Sequence, residues 1–181
     1  MSPKNTELQE ISFRSDGLTL KGTLHLAASD KPPIVIGLHG LYSSQESPKQ
    51  IALARACNAL GLAYLRFDHR GCGRSQGAFD KVTSLAARRR DLKSTIEIVK
   101  AWPDTSDHIG LFGSSMGGTV GLSVAADLNL DTIVTFAAPL RTRFQSVTDQ
   151  IEARPKTAAI YLDADKSDFD SLYASLGSRI F

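Results

Sequence analysis

The residues best suited to chemistry in this chain lie at positions 113–117, which read Gly-Ser-Ser-Met-Gly. They follow an apolar run typical of a buried strand and precede a run of small residues typical of a helix. In that setting G-x-S-x-G is typical of a serine on a sharp turn, whose small neighbours let the strand and the helix pass close together. The pattern predicts that Ser115 is a nucleophile for acyl transfer. Taken alone, the pentapeptide is also compatible with a packing turn between a strand and a helix.

Alternating strands and helices are expected to position this serine. Asp16 and Gly17 separate two alternating segments, which predicts an N-terminal β-hairpin. Apolar runs of strand length predict buried strands at 34–40, 62–68, 108–113, 132–139 and 157–163. Apolar stripes at helical spacing predict helices that carry Leu53, Cys57 and Leu60 after a start at Ser47-Pro48; Leu85, Leu92, Ile96 and Val99; and Phe169, Leu172, Tyr173, Leu176 and Ile180.

This order of elements predicts an α/β fold. We expect a three-layer α/β/α sandwich over a single domain, residues 1–181, with a mainly parallel sheet and an antiparallel hairpin at one edge. Ligands of such sheets bind beyond the carboxyl ends of the strands. The loops at 39–44, 68–75 and 113–118 should therefore meet around one site.

Three motifs, in order, resemble those of the α/β-hydrolase superfamily, close to its serine-aminopeptidase-like and monoacylglycerol-lipase-like branch. The segment "LHGLYSSQESP" is similar to the His-Gly loop after the third strand, and "DHRGCGRS" is similar to the Asp-x-Arg-Gly-x-Gly-x-Ser signature after the fourth. The segment "IGLFGSSMGG" is similar to the nucleophile elbow. The resemblance covers roughly residues 10–140 and implies the α/β-hydrolase fold, with neither a cofactor nor a metal.

The same resemblance implies that Ser115 is the nucleophile and that the main-chain N–H groups of Leu41 and Met116 form the oxyanion hole. Two such donors supply about 3–4 kcal/mol each to the transition state. We expect Gly40 to adopt an unusual backbone angle that turns the Leu41 N–H toward the acyl oxygen. In the neighbouring loop, we interpret Asp68, Arg70, Gly71, Gly73 and Ser75 as loop structure, and Cys72 as a small filler rather than a reactive thiol.

The resemblance places the catalytic acid and histidine after the serine. The four histidines are His25, His39, His69 and His108, and none follows Ser115. We therefore expect a chain that is shortened at its C-terminus and lacks the usual histidine-bearing segment.

Candidates for the missing roles are few. Asp165 is our candidate for the acid, among Asp163, Asp165 and Asp168 after the last predicted strand. The alternative is a solvated turn that caps the terminal helix. His39 and His69 are candidate stand-in bases, although the family's residues at these positions usually support loops.

Two functions follow. The first is a serine hydrolase that cleaves carboxylic esters or related small acyl compounds through an acyl-serine intermediate. The second is a catalytically impaired or inactive α/β-hydrolase-like protein that acts in binding or assembly, as a homo-oligomer joined through the C-terminal edge of its sheet. A basic cluster at 87–93 raises nucleic-acid binding as a third idea, but we interpret it as a solvated helix face and expect no nucleic-acid partner.

Composition agrees with a compact globular protein. Apolar residues make up 42% of the chain and the formal net charge is +2, so we expect neither disorder nor a nucleic-acid-scale basic field. No apolar run is long enough for a membrane span, and the polar N-terminus lacks the core of a signal peptide. Together with two cysteines that form no framework, these features predict a cytoplasmic protein.

Overall fold

The computed structural model describes residues 7–125, 127–128 and 130–139. The strands of this part are β1 (Glu7–Ser15), β2 (Leu18–Leu26), β3 (Ile34–Leu38), β4 (Ala63–Phe67), β5 (Ile109–Ser114) and β6 (Thr132–Phe136). The helices of this part are α1 (Pro48–Ala59), α2 (Phe79–Val82), α3 (Leu85–Lys100) and α4 (Met116–Ala125).

The chain divides into two compact units, Met1–Phe144 and Gln145–Phe181, and all described residues belong to the first. The predicted strand at 157–163, the predicted terminal helix and Asp165 lie outside the described residues. The single domain expected over the whole chain therefore stays a prediction.

The six strands form one sheet in the order β1-β2-β4-β3-β5-β6. β1 and β2 form an antiparallel hairpin at one edge, and β2 pairs antiparallel with β4. The remaining neighbours, β4 with β3, β3 with β5, and β5 with β6, are parallel. The predicted α/β fold with its N-terminal hairpin is confirmed.

The hairpin turn depends on the residues that the sequence offers there. Asp16 and Gly17 both have positive φ angles, 45° and 80°. Two successive left-handed residues match the twist of a two-residue hairpin turn, and Asp-Gly is a favoured pair for it. The turn thereby sets the register in which Ser15 faces Leu18.

Helices cover both faces of the sheet. On one face, Gly121 of α4 packs so closely that a Cβ there would lie 3.3 Å from Leu38 of β3, with Leu111 of β5 at 3.7 Å. Leu111 of β5 and Leu65 of β4 both pair with Ile36 of β3, so their side chains lie on the same face of the sheet. The next residue, Tyr64, points to the other face, where its hydroxyl donates to Gln50 of α1 at 2.6 Å. The three-layer arrangement is therefore present in the described residues.

The main core lies between the sheet and the helices α3 and α4. The apolar stripe predicted for α3 contributes the buried residues Leu92, Ile96 and Val99, which pack against buried side chains of the sheet. Each such side chain contributes about 1.5–3 kcal/mol by leaving water. This packing anchors α3 beneath the loops that follow the strands.

The first helix differs from the prediction. It starts at Pro48 with Ser47 as its cap, as expected, but its buried residues are Gln50 and Ala54 rather than an apolar stripe ending at Leu60. Leu60 is 77% exposed. The reason is the strand beneath, since the buried hydroxyl of Tyr64 needs a polar partner and Gln50 supplies it.

Candidate active site

Ser115 lies on a sharp turn between β5, which ends at Ser114, and α4, which begins at Met116. Its φ angle is +52° and its side chain is exposed. A left-handed backbone costs a non-glycine residue about 1–2 kcal/mol. Hydrogen bonds hold it there, because the Ser115 N–H donates to the Phe136 carbonyl at 2.9 Å and the Ser115 carbonyl accepts the Gly118 N–H at 2.9 Å.

The two glycines of the motif are required by close backbone contacts. A Cβ at Gly113 would lie 2.6 Å from the carbonyl oxygen of Gly117. A Cβ at Gly117 would overlap the carbonyl oxygen of Leu38, at the end of β3. The strand and the helix thus pass as close as the sequence motif predicts, which presents the serine side chain at the surface.

The loop after β3 lies beside the serine. A Cβ at Gly40 would be 3.6 Å from the Cβ of Ser115, so the main chain at 40–41 borders the space above the nucleophile. Within the part of the chain that the structure describes, the Leu41 N–H donates to no acceptor. The N–H of Met116, the first helical residue, has no acceptor inside its helix. Both groups predicted for the oxyanion hole are thus available as donors, and their role stays a prediction.

The expectation of an unusual backbone angle at Gly40 is wrong. Gly40 is absent from the residues with left-handed φ values. Its carbonyl oxygen is instead held from two sides, by Nδ1 of His39 at 2.8 Å and by Nη1 of Arg88 at 3.2 Å. Side-chain hydrogen bonds, rather than a strained glycine, orient this loop.

His39 is a structural residue in the described geometry. Its Nε2 atom accepts the main-chain N–H of His69 at 3.2 Å, so its Nδ1 atom carries the proton and donates to Gly40. Burial and the nearby His69 and Arg88 lower the pKa of His39 well below its ordinary value. Both ring nitrogens are engaged, and neither contacts Ser115.

His69 is also buried away from solvent. Its Nδ1 atom lies 3.4 Å from Asp91, but neither ring nitrogen has a hydrogen-bond partner among the described residues. Burial, together with the nearby Arg88, lowers the pKa of His69 to about 4, although the Asp91 carboxylate that faces it acts in the opposite direction. His69 is therefore neutral at pH 7 and makes no hydrogen bond to the serine.

Arg70 and Asp91 form a buried ion pair under the loop that follows β4. The Arg70 Nε atom donates to Oδ1 of Asp91 at 2.8 Å, and the Arg70 main-chain N–H donates to Oδ2 at 3.0 Å. Burial raises the pKa of Asp91, but the close contact with His69 and the hydrogen bonds from Arg70 outweigh it and lower that pKa below its ordinary value. The pair fastens the loop to α3, as the structural interpretation of Arg70 predicts.

Asp68 organises the same loop. Its carboxylate accepts the main-chain N–H groups of Gln45 at 2.8 Å and Arg74 at 3.0 Å, while Ser75 Oγ donates to the Asp68 carbonyl at 2.6 Å. The signature residues of this loop thus satisfy each other's polar groups. Their interpretation as loop structure agrees with every one of these contacts.

Arg88 is the residue that sequence reasoning missed. We interpreted the basic cluster on α3 as a solvated face, but Arg88 is 0% exposed. It donates to the Gly40 and Leu41 carbonyls and to the sulfur of Cys72 at 3.3 Å. The only signal in the sequence is its spacing from Leu92, which places both residues on the inward face of α3.

Cys72 behaves as the predicted filler. It is 7% exposed and accepts the hydrogen bond from Arg88. Burial raises the pKa of its thiol, so the thiol is protonated at neutral pH.

Asp165, the predicted acid, lies outside the described residues. Among the residues that are described, no group of three or more His, Cys, Asp or Glu side chains is arranged to hold a metal ion. In the same part of the chain, every helix is too short or too polar to cross a bilayer.

Parallel strands that lead to an exposed serine on a left-handed strand-to-helix turn are the arrangement of the α/β-hydrolases. Residues 30–169 match the family described as "Serine aminopeptidase, S33", and the chain belongs to this family. The fold is shared with esterase Pf2001 of Pyrococcus furiosus, with a TM-score of 0.70 and 24% identity over 93% of this chain and 64% of that one. It is also shared with Est1E of Butyrivibrio proteoclasticus, solved with ferulic acid, with a TM-score of 0.61 and 26% identity over 65% of this chain and 47% of that one.

Among curated proteins, the chain is similar to the human mitochondrial palmitoyl-protein thioesterase ABHD10. The two are 28% identical over 148 residues, which is 79% of this chain and 46% of the human protein. The bovine ABHD10 is 35% identical over 88 residues, 49% of this chain and 27% of that protein. The chain thus spans less than half of the length of these relatives.

Proposed function

We propose that this chain is a serine hydrolase that cleaves carboxylic esters or related acyl compounds through an acyl-serine intermediate. The observation that carries the proposal is the exposed Ser115 on its left-handed turn, beside the backbone of Gly40. The turn places about 1–2 kcal/mol of backbone strain at this serine and presents its hydroxyl to solvent, as a nucleophile requires.

The reaction would proceed in two steps. The Ser115 oxygen attacks the acyl carbon and its proton passes to a base, while the acyl oxygen becomes an oxyanion near the N–H groups of Leu41 and Met116. Collapse of this intermediate expels the alcohol or thiol, which takes up the proton. Water then attacks the acyl-serine in the same manner and releases the carboxylic acid.

The proposal requires a proton acceptor from outside the described residues. Both ring nitrogens of His39 are engaged, the ring of His69 is fully buried, and Ser115 Oγ makes no hydrogen bond within the described part of the chain. Asp165 remains our candidate for the acid that would orient such a base. Without a base, the rate falls by about 10⁶ in a related triad.

The substrate class is also a proposal. ABHD10 is named as a palmitoyl-protein thioesterase, and Est1E was solved with ferulic acid. These names support an acyl ester or thioester as the substrate, since the chemistry at the acyl carbon is the same for both. We propose a small acyl substrate, no nucleic-acid partner and a cytoplasmic location, although the curated relatives are mitochondrial by name.

A second candidate is an inactive α/β-hydrolase-like protein that binds acyl compounds or assembles through the C-terminal edge of its sheet. The observation that favours it is that neither His39 nor His69 contacts Ser115. In this case the space above Ser115 would bind an acyl compound without turning it over.

A fluorophosphonate probe distinguishes the two candidates. We expect the chain to be labelled and to hydrolyse short nitrophenyl esters and acyl thioesters, and the Ser115→Ala variant to lose both activities. Ser114→Ala is the matched control, because Ser114 is the neighbouring serine but is only 5% exposed; it should retain labelling. Absence of labelling in the unaltered chain would contradict the hydrolase and favour the binding protein.

A further inference from the structure

Arg88 is buried in an unusual setting for an arginine. Its guanidinium is fully shielded from solvent, yet within the described residues no carboxylate forms an ion pair with it. Its hydrogen-bond partners are two successive carbonyl oxygens and a thiol: Gly40 at 3.2 Å, Leu41 at 3.0 Å and Cys72 at 3.3 Å. Burying a charge in this way costs several kcal/mol before compensation. The free-energy cost of burying the Arg88 charge indicates that the charge has a function that a neutral side chain could not replace.

The position of the two carbonyls supplies that function. The Gly40 carbonyl and the Leu41 N–H belong to one planar, trans peptide unit, and they point in opposite directions. Holding the carbonyl toward Arg88 and His39 on the buried side therefore directs the N–H to the opposite side. Because Gly40 borders Ser115, that side includes the space in which an acyl oxygen would bind.

We propose that Arg88 is a positioning residue whose guanidinium sets the Gly40–Leu41 peptide so that the Leu41 N–H serves the oxyanion hole. This inference rests on the proposed hydrolase function. The charge also contributes, since a cation on the carbonyl polarises the peptide and strengthens its N–H as a donor.

The arginine fork suits this task better than a lysine would. Its two terminal nitrogens reach two carbonyls at once, Nη1 to Gly40 and Nη2 to Leu41, and so restrain the peptide against rotation. A lysine ammonium is a single point donor on a flexible stem. The contact of Nη2 with Cys72 further ties the loop after β3 to the loop after β4.

The experiment compares Arg88→Met and Arg88→Lys with Arg89→Met. Arg89 is the next residue on α3 and its side chain is 40% exposed, so its variant controls for the loss of an arginine from this helix. Ester hydrolysis is measured per active site, with fluorophosphonate titration giving the number of working serines. We expect kcat to fall about 10–100-fold in Arg88→Met and less in Arg88→Lys, while KM changes by less than about threefold.

A second measurement is independent of activity. The ¹⁵N order parameter of the Leu41 amide should be about 0.85, the value of a rigid backbone, in the unaltered chain and in Arg89→Met. It should fall in both Arg88 variants. If Arg88→Met fails to fold, Arg88→Lys keeps the charge and decides the question.

The outcomes separate the two proposals. If the unaltered chain is never labelled at Ser115, the hydrolase function fails, and the order parameter alone tests whether Arg88 holds the loop. If labelling succeeds but kcat and the Leu41 order parameter in the Arg88 variants equal those in Arg89→Met, the positioning role is overturned. A loss of working serines at unchanged kcat would also overturn it, because it indicates a purely structural residue.

Discussion

The Nε2 atom of His39 accepts the main-chain N–H of His69, with the two nitrogen atoms 3.2 Å apart. This bond joins the loop after β3 to the loop after β4. It also occupies the lone pair with which His39 would take a proton from Ser115. A histidine two residues before Leu41, a predicted donor of the oxyanion hole, is thereby committed to holding two loops together.

His69 is not expected to be the base. Replacement of His69 by Asn should lower the labelling rate of Ser115 per folded molecule by less than about tenfold, whereas removal of a true base costs about 10⁶. The measurement is fluorophosphonate labelling, normalised to the folded fraction from circular dichroism. A loss of 10³-fold or more in a folded variant would identify His69 as the base after all.

Backbone strain at Ser115 predicts an asymmetry between two substitutions. Ser115→Gly and Ser115→Ala both remove the hydroxyl, but only glycine adopts a φ of +52° without strain. We expect Ser115→Gly to be about 1 kcal/mol more stable than Ser115→Ala in urea unfolding. Equal stabilities would mean that the turn is relaxed in solution.

The glycines near the serine should differ sharply in their tolerance. Gly117→Ala would press a methyl group into the Leu38 carbonyl, so we expect a loss of about 3 kcal/mol in the free energy of unfolding. Gly40→Ala makes only ordinary contact, 3.6 Å from the Ser115 Cβ, and should fold normally. It should reduce the turnover of bulky acyl groups more than that of acetyl esters, and an equal effect on both would contradict this placement.

The buried Arg70–Asp91 pair should be far more sensitive to mutation than a surface pair on the same helix. Asp91→Ala leaves the buried Arg70 guanidinium with only the half-exposed Asp16 as an ionic partner, and we expect it to cost about 3–5 kcal/mol. The control is Arg90→Ala, which removes a half-exposed partner of Asp16 and should cost less than about 1 kcal/mol. Chemical unfolding of the two variants measures both values, and similar costs would refute the role given to burial.

Stability should fall in mild acid. An unfolded histidine binds a proton near pH 6.5, but burial lowers the pKa of folded His69 to about 4, and burial together with Arg66 does the same for His25. Between pH 4 and 6.5 these histidines bind more protons in the unfolded state than in the folded state. The free energy of unfolding therefore decreases as pH falls from 6.5 to 4. His69→Asn should flatten this dependence.

The matched control for the acid effect is His108. Its exposed ring lies beside Asp131, which raises the pKa of His108. Its stabilising contribution is present in acid and lost as pH rises, opposite in sign to that of His69. His108→Asn should therefore steepen the fall in stability toward acid, and a flattening would contradict the assignment.

Much of the fold followed from local sequence. The Asp16-Gly17 turn was predictable because a two-residue hairpin needs positive φ angles that this pair adopts. The buried strands β3, β4 and β5 were predictable because strands covered on both faces are continuously apolar. The stripe on α1 was predicted wrongly because its burial depends on Tyr64, a residue of a different strand.

For the candidate site, the sequence alone determined the turn that carries Ser115, since glycines at 113 and 117 are a local requirement of a tight strand-to-helix passage. Tertiary structure decided what surrounds it. Arg88 donates to the Gly40 carbonyl, although the two residues are 48 positions apart in the chain. A charged residue on a helix is predicted to face solvent unless the packing of that helix is known. Hydrogen bonds between residues so far apart produce no regular pattern in the sequence, so only the folded chain shows them.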